Sequence, residues 1–419
     1  MTQTPASSPY ISVFRNRRVG VILLLGFSSG LPLALTGGTL QAWLTVSNVD
    51  LSTIGWFSWI GLPYTLKFLW SPLMDRYVPP LLGRRRGWMV ATQLARFVCL
   101  VGMGSSAPAQ ALPFLALFAL GAAFASASQD IVVDAYRTDL LTAPERGSGA
   151  AVAVLGYRIA MLVSGGLALI VADRYLGWGN TYYLMALLLS VGMVTALLAP
   201  EPAAAGAPPK SLREAVAAPL AEMLSRPGAL YFLLIILLYK FGDALAFALL
   251  NTFFIRELGF TPTDVGIINK WLGFAATILG ALTGGALMAR LSLFRALLLF
   301  GAIQAFSNLS FMFLAWAGKS YAWLIFAVAL ENFASGMGTA AFVALAMALC
   351  DHRFSATQYA LLSALGSLGR IVAGPINSHL VAWIGWADYY LVAFLASLPA
   401  LWLIWRLRRE LEKLSPAPA

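Results

Sequence analysis

Eleven ionisable side chains lie inside long apolar stretches of this 419-residue sequence, where surface charges are not expected. They are Lys67, Arg96, Asp130, Asp134, Arg158, Lys240, Asp243, Lys270, Glu331, Arg370 and His379. A charge at the centre of a bilayer costs about 2.5–3.5 kcal/mol on insertion scales, so such a group needs a partner or a polar cavity. Carboxylates in this setting can exchange protons, and cationic side chains can bind anions. These residues are therefore the first candidates for chemistry.

One group of these residues belongs to the N-terminal half of the chain. Asp130 and Asp134 are four residues apart and share a helix face, at a predicted depth similar to that of Lys67, Arg96 and Arg158. The acids and cations can form an ion-pair network, or the acids can exchange protons with a cavity. Both interpretations stay open for Asp130 and Asp134. Lys67 and Asp130 are also candidates for substrate binding, whereas a structural role is favoured for Arg96 and Arg158.

A second group belongs to the C-terminal half. Lys240 and Asp243 are three residues apart, and Glu331 lies about ten residues into its apolar stretch. Lys240 is a candidate contact for an anionic substrate group, and Glu331 is a candidate for both protonation and substrate binding. A purely structural pair, Lys240 with Asp243 or Glu331 with Arg370, is the alternative. Further candidates for substrate binding are Gln41, Asp243, Lys270 and Asn332.

The composition indicates an integral membrane protein. Hydrophobic residues make up 60% of the chain and charged residues 11%, against about 25% charged in a typical soluble domain. A soluble enzyme of this size would expose a largely apolar surface, so this class is excluded. The two cysteines, Cys99 and Cys350, lie in apolar stretches and do not indicate a disulfide framework.

Twelve apolar stretches are long enough to cross a bilayer, which takes about 20 helical residues. The predicted spans are residues 20–45, 51–72, 87–107, 111–139, 148–172, 179–199, 229–255, 262–289, 294–316, 321–349, 356–384 and 387–407. With a cytoplasmic N-terminus, eighteen Lys and Arg residues fall in cytoplasmic segments and three in segments on the other side. The positive-inside rule then predicts that both termini are cytoplasmic. The net charge of +10 is explained in this way, and no nucleic-acid partner is expected.

The two halves of the chain repeat in the same orientation. Gly177-Trp178 followed by Tyr182-Tyr183 matches Gly385-Trp386 followed by Tyr389-Tyr390, about 208 residues later. We therefore predict an all-α integral membrane protein with twelve transmembrane helices in two six-helix bundles, residues 1–200 and 229–419. A cytoplasmic linker, residues 201–228, joins them. This parallel 6+6 repeat is the layout of major facilitator transporters.

A charged segment after the second predicted span is similar to the G-x-x-x-D-[RK]-x-G-[RK]-[RK] motif of major facilitators. It comprises Ser71-Pro-Leu-Met-Asp-Arg76 and Gly83-Arg-Arg-Arg86. A carboxylate such as Asp75 can accept hydrogen bonds at a helix terminus. Asp75, Arg76 and Arg84 are therefore candidates for a cytoplasmic gate. The sequence departs from the motif at Ser71, which replaces glycine, and by the insertion of residues 77–82.

Several longer segments resemble the AmpG family of muropeptide permeases, and the resemblance runs from about residue 12 to residue 405. These segments include Gly30-Leu-Pro-Leu-Ala-Leu-Thr36, Lys67-Phe-Leu-Trp-Ser-Pro-Leu-Met-Asp-Arg76, Ser126-Ala-Ser-Gln-Asp-Ile131, Leu155-Gly-Tyr-Arg158, Leu238-Tyr-Lys-Phe-Gly-Asp243 and Phe354-Ser-Ala-Thr-Gln358. By the same resemblance, Gln129, Asp130 and Asp134 fall in a segment associated with transport in the family. Gln129 joins the candidates for substrate binding on this ground.

The resemblance implies proton-coupled import of N-acetylglucosaminyl-1,6-anhydro-N-acetylmuramyl peptides across the bacterial inner membrane for peptidoglycan recycling. It implies muropeptide, protons and the lipid bilayer as partners, no cofactor and no metal, and we expect a monomer. Alternatives are a transporter of the same fold for another anionic cargo such as acetyl-CoA, or a drug/proton antiporter. A membrane-embedded enzyme is disfavoured because the chain has two histidines, no C-x-x-C motif and no long loop on the outer side.

Overall fold

The computed structural model describes residues 17–71, 74, 77–80, 82–141, 146–201, 218–225, 228–350 and 355–414. Within these ranges the chain is helical and contains no β-strand, so the predicted all-α fold is confirmed. The helices up to residue 201 are α1 (Arg17–Leu35), α2 (Gly38–Val46), α3 (Leu51–Trp56), α4 (Leu62–Leu66), α5 (Arg84–Gly104), α6 (Pro108–Leu140), α7 (Arg146–Leu162), α8 (Ala168–Val171) and α9 (Gly177–Leu198). Short 3₁₀ helices, Phe57–Gly61 and Lys67–Leu69, flank α4.

The second half is built in the same way from long apolar helices. Its helices are α10 (Ala218–Ser225), α11 (Ala229–Tyr239), α12 (Phe241–Ala248), α13 (Leu250–Thr252), α14 (Pro262–Asp264), α15 (Gly273–Met288), α16 (Leu293–Ala317), α17 (Tyr321–Ala348), α18 (Ser355–Arg406) and α19 (Arg408–Lys413). Four π-helical segments continue these helices: Val163–Leu167, Ala172–Leu176, Phe253–Glu257 and Val265–Leu272.

Nine helical stretches among the described residues are long and apolar enough to cross a membrane. Two of them, Ala151–Leu198 with 48 residues and Leu361–Arg406 with 46, are about twice the length that one crossing needs. Each is bent at a glycine with positive φ, Gly177 at 71° and Gly385 at 79°. Within the predicted second span, residues 51–72, the described residues 51–69 form short α and 3₁₀ helices instead of one continuous helix. The count of twelve spans stays a prediction.

The described contacts divide the chain into two compact units. The first contains residues 17–40 and 66–201, and the second contains residues 41–65 and 218–414. In the first unit α1 packs on α7, where a Cβ at Gly156 would overlap the carbonyl oxygen of Leu23. In the second unit α15 packs on α17, where a Cβ at Gly336 would overlap the carbonyl oxygen of Thr277. Small residues thus bring backbones together, as is typical of membrane helices.

Breaks in the helices position the polar residues of the second unit. Lys240 separates α11 from α12 with φ −101° and ψ 2°, and Leu249 separates α12 from α13 with φ −118° and ψ 20°. A helix break leaves backbone groups without their usual i to i−4 partners. In a membrane such groups are tolerated where protein or a polar cavity surrounds them.

Candidate functional site

Lys240, at the break between α11 and α12, forms an ion pair with Asp243. Its Nζ atom lies 3.3 Å from Asp243 Oδ2 and donates a second hydrogen bond to Thr339 Oγ1 on α17, at 3.1 Å. The Asp243 side chain is 11% exposed and the Lys240 side chain 16%. The pair therefore neutralises both charges where few water molecules reach them.

Asp243 has another partner that the sequence reasoning missed. The Nε2 amide of Gln304, on α16, donates a hydrogen bond to the same Oδ2 atom that Lys240 contacts. A carboxylate oxygen has two lone pairs, so Oδ2 can accept from the ammonium and the amide at once. The available signal was a polar stripe in an apolar helix, since Gln304, Ser307 and Asn308 follow helical spacing.

Glu331 is fully buried on α17. Its Oε2 atom is hydrogen bonded to the hydroxyl of Ser307, while Oε1 has no partner among the described residues. Asp243 and Lys240 are the charged groups that act on it. The side chain of Arg370, the partner considered in the sequence analysis, lies outside the described part of the chain.

Asn332 and Lys270 do not join this cluster. The Asn332 amide donates to the Val328 carbonyl at 2.9 Å and accepts from Thr277 Oγ1 at 3.3 Å, so it connects α17 to α15. Lys270 lies on the π-helical segment before α15 and has no hydrogen bond or ion pair among the described residues. The role of Lys270 in substrate binding stays a prediction.

Gln41 on α2 forms the first contact of a regular series with the segment 241–257. Its Nε2 atom donates to the Ala248 carbonyl at 2.6 Å, and Thr45 Oγ1 lies 2.9 Å from Thr252 Oγ1. The guanidinium of Arg256 then donates to the carbonyls of Thr45 at 3.0 Å and Val49 at 2.8 Å. The contacts recur every four residues on both segments, so two helix faces lie in register.

The acids of the first unit lie at the end of α6. The charges acting on Asp130 are those of Lys67, Asp134 and Arg96, and its Oδ1 atom has no hydrogen-bond partner in the described part of the chain. Asp134 pairs with Arg137 Nη2 at 3.2 Å and is 58% exposed. The structure thus brings together four of the five residues predicted to cluster. Arg158 is exposed and is not among the charges that act on Asp130.

Two of these polar residues are held by neutral partners. The fully buried Arg96 donates from Nη1 to the Ser28 carbonyl at 2.9 Å and from Nη2 to the Ser28 hydroxyl at 3.2 Å. The Gln129 amide oxygen accepts a hydrogen bond from Thr92 Oγ1 on α5. Arg96 therefore connects α5 to α1, in agreement with the structural role favoured for it.

A cluster of ions joins the start of α5 to the ends of α6 and α9. Arg85 Nε pairs with Asp139 Oδ2 at 2.8 Å, and the Glu201 carboxylate accepts from the backbone N–H groups of Arg85 at 2.8 Å and Arg86 at 3.0 Å. The Arg86 guanidinium donates to the Ala196 carbonyl at 3.2 Å and also to that of Leu197. Glu201 thus caps α5 where the helix dipole is positive.

The predicted gate residues are only partly described. Arg84 is partly buried in the first turn of α5, whereas Asp75 and Arg76 lie outside the described residues. Asp139 and Glu201 were missed by the sequence reasoning. Their signal was an acid at the end of the fourth span and another just after the sixth, opposite the Arg84–Arg86 run.

Comparison with known proteins gives the family. The model of the Major Facilitator Superfamily matches residues 22–374. The chain is 54% identical over 406 residues to the anhydromuropeptide permease of Escherichia coli K12, covering 97% of this chain and 83% of that protein. It is 32% identical to the putative transporter AmpG 4 of Rickettsia felis, covering 96% of this chain and 99% of that protein.

A solved structure with the same fold is the inward open conformation of the xylose transporter XylE from E. coli. The TM-score is 0.70 at 14% sequence identity, and the match covers 96% of this chain and 100% of the other. At this identity the likeness shows the fold alone. By the family model and by its curated relatives, the chain belongs to the Major Facilitator Superfamily and, within it, to the AmpG family of transporters.

Proposed function

We propose that this chain imports N-acetylglucosaminyl-1,6-anhydro-N-acetylmuramyl peptides from the periplasm into the cytoplasm, for peptidoglycan recycling. The observation that carries this proposal is the 54% identity to the E. coli anhydromuropeptide permease over 97% of the chain. The protein is a multi-pass membrane transporter and not an enzyme. We place it in the inner membrane with both termini in the cytoplasm, and we expect one chain to be the transporting unit.

Lys240 is the proposed contact for the carboxylates of the peptide. Its position at a helix break leaves the ammonium 3.1 Å from the Thr339 hydroxyl and partly exposed, beside a single paired acid. An incoming carboxylate can share the ammonium with Asp243 or replace it, because an ammonium donates three hydrogen bonds. Gln41, Lys67, Gln129, Asp130, Asp243, Lys270, Glu331 and Asn332 are the further residues proposed to bind cargo.

Proton coupling is proposed to use Asp130, Asp134 and Glu331. A carboxylate that carries a proton during import must bind it on one side and lose it on the other, so its surroundings must change during the cycle. Asp130 is suited to this role because the cations Lys67 and Arg96 act on it from other helices, α5 among them. Movement of those helices would change the electrostatic field at its carboxyl group.

The cluster of Arg85, Arg86, Asp139 and Glu201 supports a gate on the cytoplasmic side. It joins the ends of three helices through ion pairs and helix caps, which must separate if those ends move apart. We propose Asp75, Arg76 and Arg84 as gate residues together with this cluster. If these contacts form in one conformation of the transporter and break in another, they stabilise the conformation in which they form.

The test is uptake into liposomes that contain the purified protein. A labelled disaccharide anhydro-muropeptide should accumulate when the vesicle interior is alkaline, and the accumulation should collapse with a protonophore. Asp130→Asn should abolish gradient-driven accumulation while binding of the same probe remains measurable, and Asp134→Asn separates the two acids. Uptake of acetyl-CoA with no uptake of the muropeptide would contradict the proposed cargo. Normal accumulation by Asp130→Asn would contradict the coupling role of this acid.

A further inference from the structure

The polar face of α16 meets Glu331 in the interior of the second unit. Gln304 and Ser307 on this face are 3% and 1% exposed, and Glu331 is 0% exposed. Neither α16 residue can carry a charge, so they differ from the acids and lysine that drew attention in the sequence. Buried polar groups of this kind must be satisfied by one another, because no bulk water reaches them.

The hydroxyl of Ser307 contacts two oxygen atoms at hydrogen-bonding distance. Its Oγ atom lies 2.8 Å from the backbone carbonyl oxygen of Gln304 and is also hydrogen bonded to Glu331 Oε2. A serine hydroxyl has one proton to donate but two lone pairs to accept. The carbonyl can only accept, so both contacts are satisfied when Ser307 donates to the carbonyl and accepts a proton from the Glu331 carboxyl group.

The charged groups near Glu331 also favour the protonated form of its carboxyl group. Asp243 and Lys240 act on Glu331, and they already neutralise each other across 3.3 Å. Tyr390 on α18 is the other titratable neighbour. Of the other helices packed on α17, α15 has no ionisable residue, α16 has only Arg295 near its start, and α11 has Tyr231 and Tyr239. The helix α18 also carries Arg370, whose side chain lies outside the described part of the chain. Lys270, on the adjoining π-helical segment, is not among the charges that act on Glu331. Among the described residues, an ionised Glu331 would therefore be a buried charge with no opposite charge of its own, which is strongly unfavourable.

We propose that Glu331 carries a proton in the state described here and donates it to Ser307, which makes Ser307 a positioning residue for the coupling proton. This inference rests on the proposed proton-coupled transport. It adds Ser307, a residue that stabilises the protonated form of Glu331 but does not itself titrate. Gln304 contributes from the same helix by donating a hydrogen bond to Asp243 beside Lys240.

The test reads the protonation of Glu331 directly, without requiring transport. Infrared difference spectra of the full-length protein in liposomes, recorded over a pH titration, should contain a carboxylic acid band at neutral pH that is lost in Glu331→Gln. In Ser307→Ala the neutral acid loses its acceptor, so the half-titration point of this band should move to lower pH by about half to one unit. Ser307→Thr retains the hydroxyl and should restore the wild-type value.

A matched control is available on the same helix. Ser310 is also buried and donates to the Ser307 carbonyl at 2.6 Å, but Glu331 is not among its hydrogen-bond partners. Ser310→Ala should therefore leave the half-titration point within a few tenths of a unit. A general loosening of α16 would shift the titration in both alanine variants, whereas the proposed hydrogen bond affects only Ser307→Ala.

Three results would overturn the inference. The first is the absence of a Glu331 acid band at neutral pH, and the second is a shift to higher pH in Ser307→Ala, which would mean that Ser307 donates to an ionised Glu331. The third is a band that appears only when sodium is removed, which would make the site a cation site. If instead the band behaves as expected but muropeptide uptake ignores the pH gradient, the proposed function fails while the protonation of Glu331 stands.

Discussion

At the scale of single residues, the second unit contains an ion pair that the membrane makes costly to break. Lys240 and Asp243 are 16% and 11% exposed, and Gln304 adds a third hydrogen-bonding group to the same carboxylate oxygen. Removing one partner of a buried pair leaves an uncompensated charge and typically costs about 3–5 kcal/mol, whereas replacing both can be nearly neutral. A comparison of the single and the double variant therefore distinguishes a role of Lys240 in substrate binding from a role in stability alone.

We expect Lys240→Gln to lower both the stability of the protein and muropeptide uptake. The double variant Lys240→Gln/Asp243→Asn should recover most of the stability, because no buried charge remains unpaired, but uptake should stay at least tenfold below that of the wild type. Thermal unfolding in detergent and uptake in liposomes measure the two effects separately. Wild-type uptake by the double variant would mean that the pair only holds the helices together.

The sequence predicted which residue types matter at this scale better than it predicted their partners. Lys240 and Asp243 are visible as a pair because they are only three residues apart in the sequence. Gln304 was missed because its contact with Asp243 spans 61 residues of sequence, and an uncharged amide in an apolar helix carries a weak signal. Glu201 was missed for a similar reason, since it caps α5 from a position 116 residues beyond Arg85.

At the scale of helices, Asp50 fixes the start of α3. Its side chain accepts a hydrogen bond from the Thr53 N–H at 2.8 Å, and hydrogen bonds from Thr53 lower the pKa of this exposed carboxyl group. A lowered folded-state pKa means that the stabilisation is present above the unfolded-state value and is lost as the pH falls through the folded-state value. The hydrogen bond from Thr53 to Asp50 therefore stabilises the start of α3 at neutral pH and is weakened in acid.

We expect Asp50→Ala to destabilise the protein by about 1 kcal/mol at pH 7, which is typical of a lost N-cap. The difference from the wild type should shrink below about pH 4, where the wild-type carboxyl group begins to be protonated. Chemical unfolding at several pH values measures this difference. Asp50→Asn keeps a capping oxygen and should retain most of the stability, so an equal loss in the two variants would argue against the cap.

The contacts between α2 and the segment 241–257 are also an element-scale feature. Gln41, Thr45 and the Val49 carbonyl contact Ala248, Thr252 and Arg256, and the spacing is four residues on each segment. The distance between Thr45 Oγ1 and Thr252 Oγ1 is 2.9 Å. Since each of these contacts involves a side chain, they can form and separate without changing the backbone hydrogen bonds of either helix. Such a contact suits a step in which the two segments part and rejoin.

We expect the variant Thr45→Cys/Thr252→Cys, in a background with Cys99→Ser and Cys350→Ser, to form a disulfide on mild oxidation. Uptake should fall by more than tenfold when the disulfide forms and should return on reduction, if the two segments must separate during transport. Each single cysteine variant, treated in the same way, is the control. Full uptake by the oxidised double variant would mean that the segments stay joined throughout the cycle.

At the scale of the whole molecule, the internal sequence repeat and the distribution of Lys and Arg both predict how the chain crosses the membrane. The two long helical stretches turn at Gly177 and Gly385, which are equivalent in the repeat and both have positive φ. The sequence analysis predicted a boundary between two spans near each of these glycines, and the repeat makes the two positions equivalent. It did not predict that residues 51–69 form several short helices, because hydropathy reports burial in lipid but not the continuity of a helix.

We expect both termini to face the cytoplasm, because eighteen Lys and Arg residues lie in the segments on that side and three in the others. Alkaline phosphatase fused after Ala419 should be inactive and green fluorescent protein at the same position should fluoresce. A phosphatase fusion after Lys319, in a predicted outer segment, is the matched control and should be active. Phosphatase activity at Ala419 would show that the charge bias does not orient this chain, and the assignment of the Arg85–Glu201 cluster to the cytoplasmic side would fail with it.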